Sequence, residues 1–210
     1  MEYAQKKYTG FNIYLIGDKK FFENEDGYLA ALDECFRNGI KAFQLRQKDV
    51  SANKFMELGG KVKAVIEKYD GVSFFVNDRI DAALALGASG VHLNKNSIPI
   101  RAVKEKFKEL KIFYSSHSIE EAKKAEDDGA DFITFSPVFK TKNREFEQGA
   151  DMLKKVLKAV DIPVFALGGI NEANLPEIKK AGGRRIAVQS GVLGRPDIGG
   201  AVKTLINTIG

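Results

Sequence analysis

Along this chain, short stretches dense in β-branched and aromatic residues give way repeatedly to longer stretches whose apolar positions recur at helical spacing. Phe11 to Ile16 reads as a first strand. Tyr28 to Arg37 follows as a helix, with Leu29, Leu32 and Phe36 on one stripe. Lys41 to Arg46 is the second strand, and Ser51 caps a helix that runs to about Tyr69. The pattern continues with strand Val72 to Asn77 and helix Arg79 to Leu86, then strand Gly90 to Leu93 and helix Ile100 to Leu110. Lys111 to Ser115 is a fifth strand, and Ser118-Ile119-Glu120-Glu121 is a capping box that opens a helix. Strand Asp131 to Phe135 and helix Gly149 to Val160 come next, then strand Pro163 to Leu167 and helix Asn171 to Ala181. Arg185 to Val188 is an eighth strand, and Asp197 to Ile209 closes the chain as a helix.

Repeated βα units with right-handed crossovers build a parallel sheet covered by helices. Eight of them, with no break in composition, predict an α/β fold in which residues 1–210 form a single (β/α)8 TIM barrel domain. The alternative is an open doubly wound sheet. The longest loop is Ser136 to Gln148, polar, charged and suited to act as a lid.

Barrel enzymes work at the C-terminal ends of their strands. Polar or glycine residues stand there after nearly every strand: Asp18; Gln44, Arg46 and Lys48; Asn77 and Asp78; Asn94 to Ser97; Ser115; Ser136 to Arg144; Gly168-Gly169; and Ser190-Gly191. Strand period places Gln44, Arg46 and Lys48 on one face, which gathers an amide, a guanidinium and an ammonium into an anion site. Asp78 supplies a carboxylate beside it, and Mg²⁺ takes one or two carboxylates together with phosphate oxygens. Simpler readings compete: an ion pair between Arg46 and Asp78, or Asp78 capping the helix that begins at Arg79. Gly168-Gly169 and Ser190-Gly191 follow strands seven and eight, the usual phosphate position of this fold, where glycine lets backbone N–H groups approach an anion. The plainer reading is that these glycines only make tight turns.

Composition narrows the field. Hydrophobic content of 44% and charged content of 29% are ordinary globular values, and the longest apolar runs are far too short to span a membrane. The first ten residues are polar and mixed in charge, unlike a signal or transit peptide. A single cysteine, Cys35, excludes an intrachain disulfide and suits the reducing cytoplasm; set among Leu29, Leu32 and Phe36 it reads as core. The net charge of +5 is spread along the chain without an aromatic-interleaved stripe, which argues against nucleic acid and is compatible with anionic substrates. Two histidines and one cysteine are too few for a zinc site; His92 reads as an interior group and His117 as local structure. Oligomeric state is not fixed, and a homo-oligomer is compatible with the sequence.

The ordered motifs Gln44-Leu45-Arg46-Gln47-Lys48-Asp49, Asn77-Asp78-Arg79-Ile80-Asp81, Leu86-Gly87-Ala88-Ser89-Gly90-Val91-His92-Leu93 and Ser115-Ser116-His117-Ser118 run through the first part of the chain. Gly129-Ala130-Asp131, Ser136-Pro137-Val138-Phe139, Ala166-Leu167-Gly168-Gly169-Ile170 and Ala187-Val188-Gln189-Ser190-Gly191 complete them. In their order and spacing they resemble the thiamine phosphate synthase/TenI superfamily along nearly the whole length. The resemblance implies a transferase that joins hydroxymethylpyrimidine diphosphate to a thiazole phosphate and releases pyrophosphate. It implies that Gln44, Arg46, Lys48 and Asn77 bind the diphosphate and that Asp78 holds Mg²⁺. Ser115 and Lys48 would serve the reacting centre, and Thr141 and Arg144 of the lid would contact the diphosphate or the thiazole. Gly168, Gly169, Gln189, Ser190 and Gly191 would cradle the thiazole phosphate.

Two segments depart from the synthase pattern. Asn94-Lys95-Asn96-Ser97-Ile98-Pro99 places Ser97 where a second carboxylate ligand for magnesium is usual, and Lys140-Thr141-Lys142-Asn143-Arg144 replaces Pro-Thr-x-Thr-Lys. The runner-up reading is a TenI-like thiazole tautomerase, which needs no metal. The tautomerase pattern, however, carries a histidine where this chain has Pro137. A third reading is a non-catalytic protein that binds thiazole phosphate or thiamine phosphate.

Overall fold

The computed structural model describes residues 10–48, 50–141 and 146–209. Eight strands close into one barrel: β1 (Ile13–Gly17), β2 (Ala42–Leu45), β3 (Ser73–Asn77), β4 (Gly90–Leu93), β5 (Lys111–Ser116), β6 (Phe132–Phe135), β7 (Val164–Leu167) and β8 (Ile186–Val188). Each pairs in parallel with the next, and β8 returns to β1 with Tyr14 opposite Ala187. Closure decides for the barrel over the open sheet.

The helices are α1 (Glu25–Arg37), α2 (Ala52–Ile66), α3 (Ile80–Ala85), α4 (Ile100–Lys106), α5 (Ile119–Asp127), α6 (Gly149–Ala159), α7 (Leu175–Lys180), α8 (Ser190–Leu193) and α9 (Ile198–Ile209). Their starts follow capping chemistry. Asn24 and Ser51 accept hydrogen bonds from Gly27 N and Lys54 N. Ser118 accepts from Glu121 N, while the Glu121 carboxylate takes the His117 amide rather than that of Ser118, a capping box shifted by one residue. Several boundaries differ from expectation. Helix α1 begins earlier, at Glu25, and α7 later, at Leu175; α2 stops at Ile66, where the chain passes into tighter turns through Tyr69, and α4 at Lys106, where Phe107 leaves helical geometry; α8 is a single unpredicted turn.

Two apolar layers result. Branched and aromatic residues between strands and helices make the outer one, where Cys35 is fully buried and its thiol is pushed up to about 12 by burial, an inert core position. The inner layer is aromatic. Phe11, Tyr14, Phe75, Phe113, Phe132 and Phe165 plug the barrel axis. Tyr14 lies flat on Phe113 at 4.1 Å between centroids, and Phe75 meets Phe113 edge-on at 5.0 Å. These rings fit because facing positions are small. Ala42 and Ala187 share the layer. The plug is the floor of the mouth above it.

Candidate active site

Strand β2 ends at Leu45, so the Gln44/Arg46/Lys48 face is a staircase rather than a patch. Gln44 is 1% exposed inside the barrel, Arg46 is half-buried at the rim, and Lys48 is exposed. Nη1 of Arg46 lies 3.6 Å from Oδ2 of buried Asp18, at the end of neighbouring β1. The pairing with Asp78 considered from sequence is not formed.

Below the rim, Gln44 joins a polar network. Its Nε2 donates to Tyr14 Oη at 2.9 Å and lies 2.5 Å from Nδ1 of His92. Tyr14 Oη also reaches His92 Nδ1, at 3.3 Å. On the far side of the ring, Nε2 of His92 stands 2.9 Å from Ser115 Oγ and 3.5 Å from Thr134 Oγ1. Both amide hydrogens of Gln44 thus have partners within the barrel. His92 is held neutral, its pKa pulled down to about 3 by burial and secondarily by the Arg46 charge.

Strand β3 delivers Asn77, half-buried, and Asp78, exposed. Asp78 has a left-handed backbone (φ +64°), with its amide donating to the His92 carbonyl. Arg79 is the N-terminal cap residue of α3, without any side-chain cap bond, and pairs with Asp81. Asp78 therefore does not cap the helix. A non-glycine residue in this strained region is uncommon and is characteristic of working sites. After β4, Ser97 Oγ accepts from Asn94 N at 2.9 Å and so closes its own loop.

The loop after β6 is anchored on the loop after β7. Val138 N donates to the Leu167 carbonyl and Phe139 N to that of Gly168. Gly168 (φ +101°) and Gly169 (φ +66°) are needed for this approach. A Cβ on Gly168 would lie 2.8 Å from Pro137 Cα, and one on Gly169 would lie 2.4 Å from the Lys140 carbonyl oxygen. The glycines thus serve packing as well as leaving backbone amides open. Among the described residues, the Gly169, Ser190 and Gly191 amides donate to no other loop or side chain. Gln189, just past β8, has a buried Nε2 without a partner among the described residues. Thr141 is half-buried at the start of the lid, whereas Arg144 lies outside the described residues.

The sequence profile of the family described as thiamine monophosphate synthase matches residues 13–192. A thiamine-phosphate synthase of Clostridium tetani is 35% identical over 92% of this chain and 93% of its own length. One from Pyrococcus furiosus is 37% identical over 92% of each. The solved structure of a thiamine phosphate pyrophosphorylase from Pyrococcus furiosus superimposes with a TM-score of 0.86 at 36% identity, covering 95% of this chain and 96% of that one. The chain belongs to the thiamine monophosphate synthase family.

Within that family frame, the site has two sides. Arg46 and Lys48 follow β2, Asn77 ends β3 with Asp78 just after it, and the open amides follow β7 and β8, with Ser115 on β5. Magnesium has a narrow footing here. Among the described residues no three His, Cys, Asp or Glu side chains converge on a metal position, and Ser97 offers only a hydroxyl already used in its loop. A lone exposed carboxylate at Asp78 suits an ion that shares its coordination sphere with phosphate oxygens. The residues that sequence reasoning passed over are Tyr14 and Thr134, together with the central place of His92. Their signal was present: each is a polar side chain at an inward strand position, otherwise occupied by aromatics.

Proposed function

We propose that this chain, an enzyme of the transferase class, joins hydroxymethylpyrimidine diphosphate to thiazole phosphate, giving thiamine phosphate and pyrophosphate. The observation that supports the reading is that Arg46, Lys48 and Asn77 at the ends of β2 and β3, and the glycine-flanked backbone amides that follow β7 and β8, gather at one barrel mouth. The carbon–oxygen bond between the pyrimidine methylene and its diphosphate breaks, and the electron pair leaves with pyrophosphate. The thiazole nitrogen lone pair then forms the new carbon–nitrogen bond. Almost no proton transfer is needed, so positioning and charge stabilisation do the catalysis.

Arg46, Lys48 and Asn77 bind the diphosphate and, with Thr141 and Arg144 from the lid, hold the departing pyrophosphate. Ser115 contacts the reacting pyrimidine or its leaving group. Gly168, Gly169, Ser190 and Gly191 receive the thiazole phosphate, with the unpartnered Gln189 amide turned to the same ligand. Asp78 would hold Mg²⁺, which when bound neutralises charge on the diphosphate.

Two observations weigh against the tautomerase reading: Pro137 stands at its histidine position, and His92 is buried and neutral. Purified protein given both substrates and Mg²⁺ should release one pyrophosphate per thiamine phosphate formed. Absence of that turnover, with proton exchange on a thiazole carboxylate phosphate instead, would transfer the chain to the tautomerases; tight thiazole-phosphate binding with neither activity would make it a binding protein.

A further inference from the structure

We propose that His92 is a positioning residue that holds the Ser115 hydroxyl in place as a hydrogen-bond donor to the ligand. The inference rests on the placement of Ser115 at the reacting centre given above, and adds how that hydroxyl is oriented. Three facts of geometry carry it.

First, the donors around His92 are arranged asymmetrically. The Gln44 amide nitrogen can only donate, and it stands 2.5 Å from Nδ1. The Tyr14 hydroxyl, which accepts the other Gln44 hydrogen, adds its own donor at 3.3 Å. Two donors converging on Nδ1 make that atom an acceptor, so the single proton of the neutral ring resides on Nε2.

Second, that proton has a definite target. Ser115 Oγ lies 2.9 Å from Nε2, closer than Thr134 Oγ1 at 3.5 Å. An Nε2–H donating to Oγ occupies a serine lone pair, so the serine's own hydrogen must point elsewhere. Ser115 alternates inward with Phe113 on β5, and the barrel below it is filled by the aromatic plug. The open direction is the mouth.

Third, the ring has little freedom to turn away. It is buried, and lies beside the stacked pair of Tyr14 and Phe113, nearly parallel to both, at 5.7 and 5.6 Å between centroids. The groups facing it are Tyr14 from β1, Gln44 and the Arg46 charge from β2, Ser115 from β5 and Thr134 from β6, with Asn77 opposite it in register on β3. None is a carboxylate that would draw a second proton onto the ring. The neutral donor is therefore fixed by its surroundings rather than by the ligand.

The experiment has two arms. The first is ¹⁵N NMR of the histidine rings in the full chain, simple because it has only His92 and His117. The His92 signals should show the Nε2–H tautomer at neutral pH; an Nδ1–H tautomer or a charged ring overturns the proposal. The second is a double-mutant cycle with His92→Phe, which keeps the stacked shape, and Ser115→Ala. Each single change should lower kcat about tenfold with KM little altered, and His92→Phe should cost less than about twofold more in the Ser115→Ala background. Additive losses, or a loss confined to KM, overturn it. If His92→Phe does not fold, the tautomer of the wild-type ring still decides. If the wild-type chain shows no synthase turnover, the reaction fails while the tautomer still tests the relay.

Discussion

Asp18 and Arg46 close an ion pair between adjacent strand ends, with Oδ2 3.6 Å from Nη1. Because the guanidinium is anchored to a buried carboxylate, it is held at the rim with other N–H groups still available. That carboxylate is shared with Lys20, whose Nζ lies 2.9 Å from the same oxygen. Lys48, exposed and in no ion pair among the described residues, is a further cation of that edge.

Lys48→Ala should therefore weaken pyrophosphate or pyrimidine diphosphate binding by about ten- to a hundredfold, the range for one charge-assisted contact. Thiazole phosphate binding, on the opposite edge, should change less than about twofold by the same reasoning. Calorimetry with each ligand separately checks this, and equal losses would contradict a two-sided mouth.

Asp78→Gly should separate stability from activity. The left-handed backbone at φ +64° costs an L-residue energy that glycine does not incur. The variant should gain about 0.5 to 1 kcal/mol in urea unfolding. Its turnover should fall with loss of the carboxylate proposed to hold magnesium. Unchanged turnover would remove Asp78 from the metal assignment.

Ser97→Asp supplies a carboxylate where the family pattern has one. A carboxylate can also accept from Asn94 N, as Ser97 Oγ does, so the loop should survive. The magnesium concentration for half-maximal rate should drop, by about tenfold for one added hard ligand. A magnesium titration that does not move would show that position 97 does not face the ion.

How far the chain could be read beforehand varied with what each feature depends on. The βα alternation was legible because burial of a parallel strand and of a helix stripe leaves its mark on every turn of sequence, and the barrel followed. Helix ends at Ile66 and Lys106 were not, because Glu67, Lys68 and Phe107 are compatible with helix locally, and Tyr69, Phe107 and Leu110 pack on the core without it. The alternation of Gln44, Arg46 and Lys48 gave the shared face but not the height of each residue. That depends on where β2 meets the rim, which sets Gln44 among Tyr14 and His92. The Asp18–Arg46 pair joins residues far apart in sequence and needed the closed register to appear. Gly168 and Gly169 were legible as glycines with a purpose, yet half of that purpose, room for Pro137 and the Lys140 carbonyl, belongs to another loop.

Acid should reveal the buried histidine. His92 is pulled down from an ordinary 6.5 to about 3 in the folded chain. Between those values the unfolded chain holds the extra proton, so stability rises with pH. The contribution is complete above about 6.5 and lost progressively toward about 3, at a limiting slope of about 1.4 kcal/mol per pH unit. His92→Phe should flatten that part of the profile relative to wild type, measured as urea midpoints from pH 7 to 4.5. Parallel profiles would mean that the ring titrates freely when folded.

The aromatic stopper formed by Phe11, Phe75, Phe113, Phe132 and Phe165 leaves the cylinder without a rear exit. Both reactants and both products must therefore pass through the same doorway. Lingering pyrophosphate would obstruct the next pyrimidine diphosphate, so the release of each turnover sets the terms of admission for the one that follows.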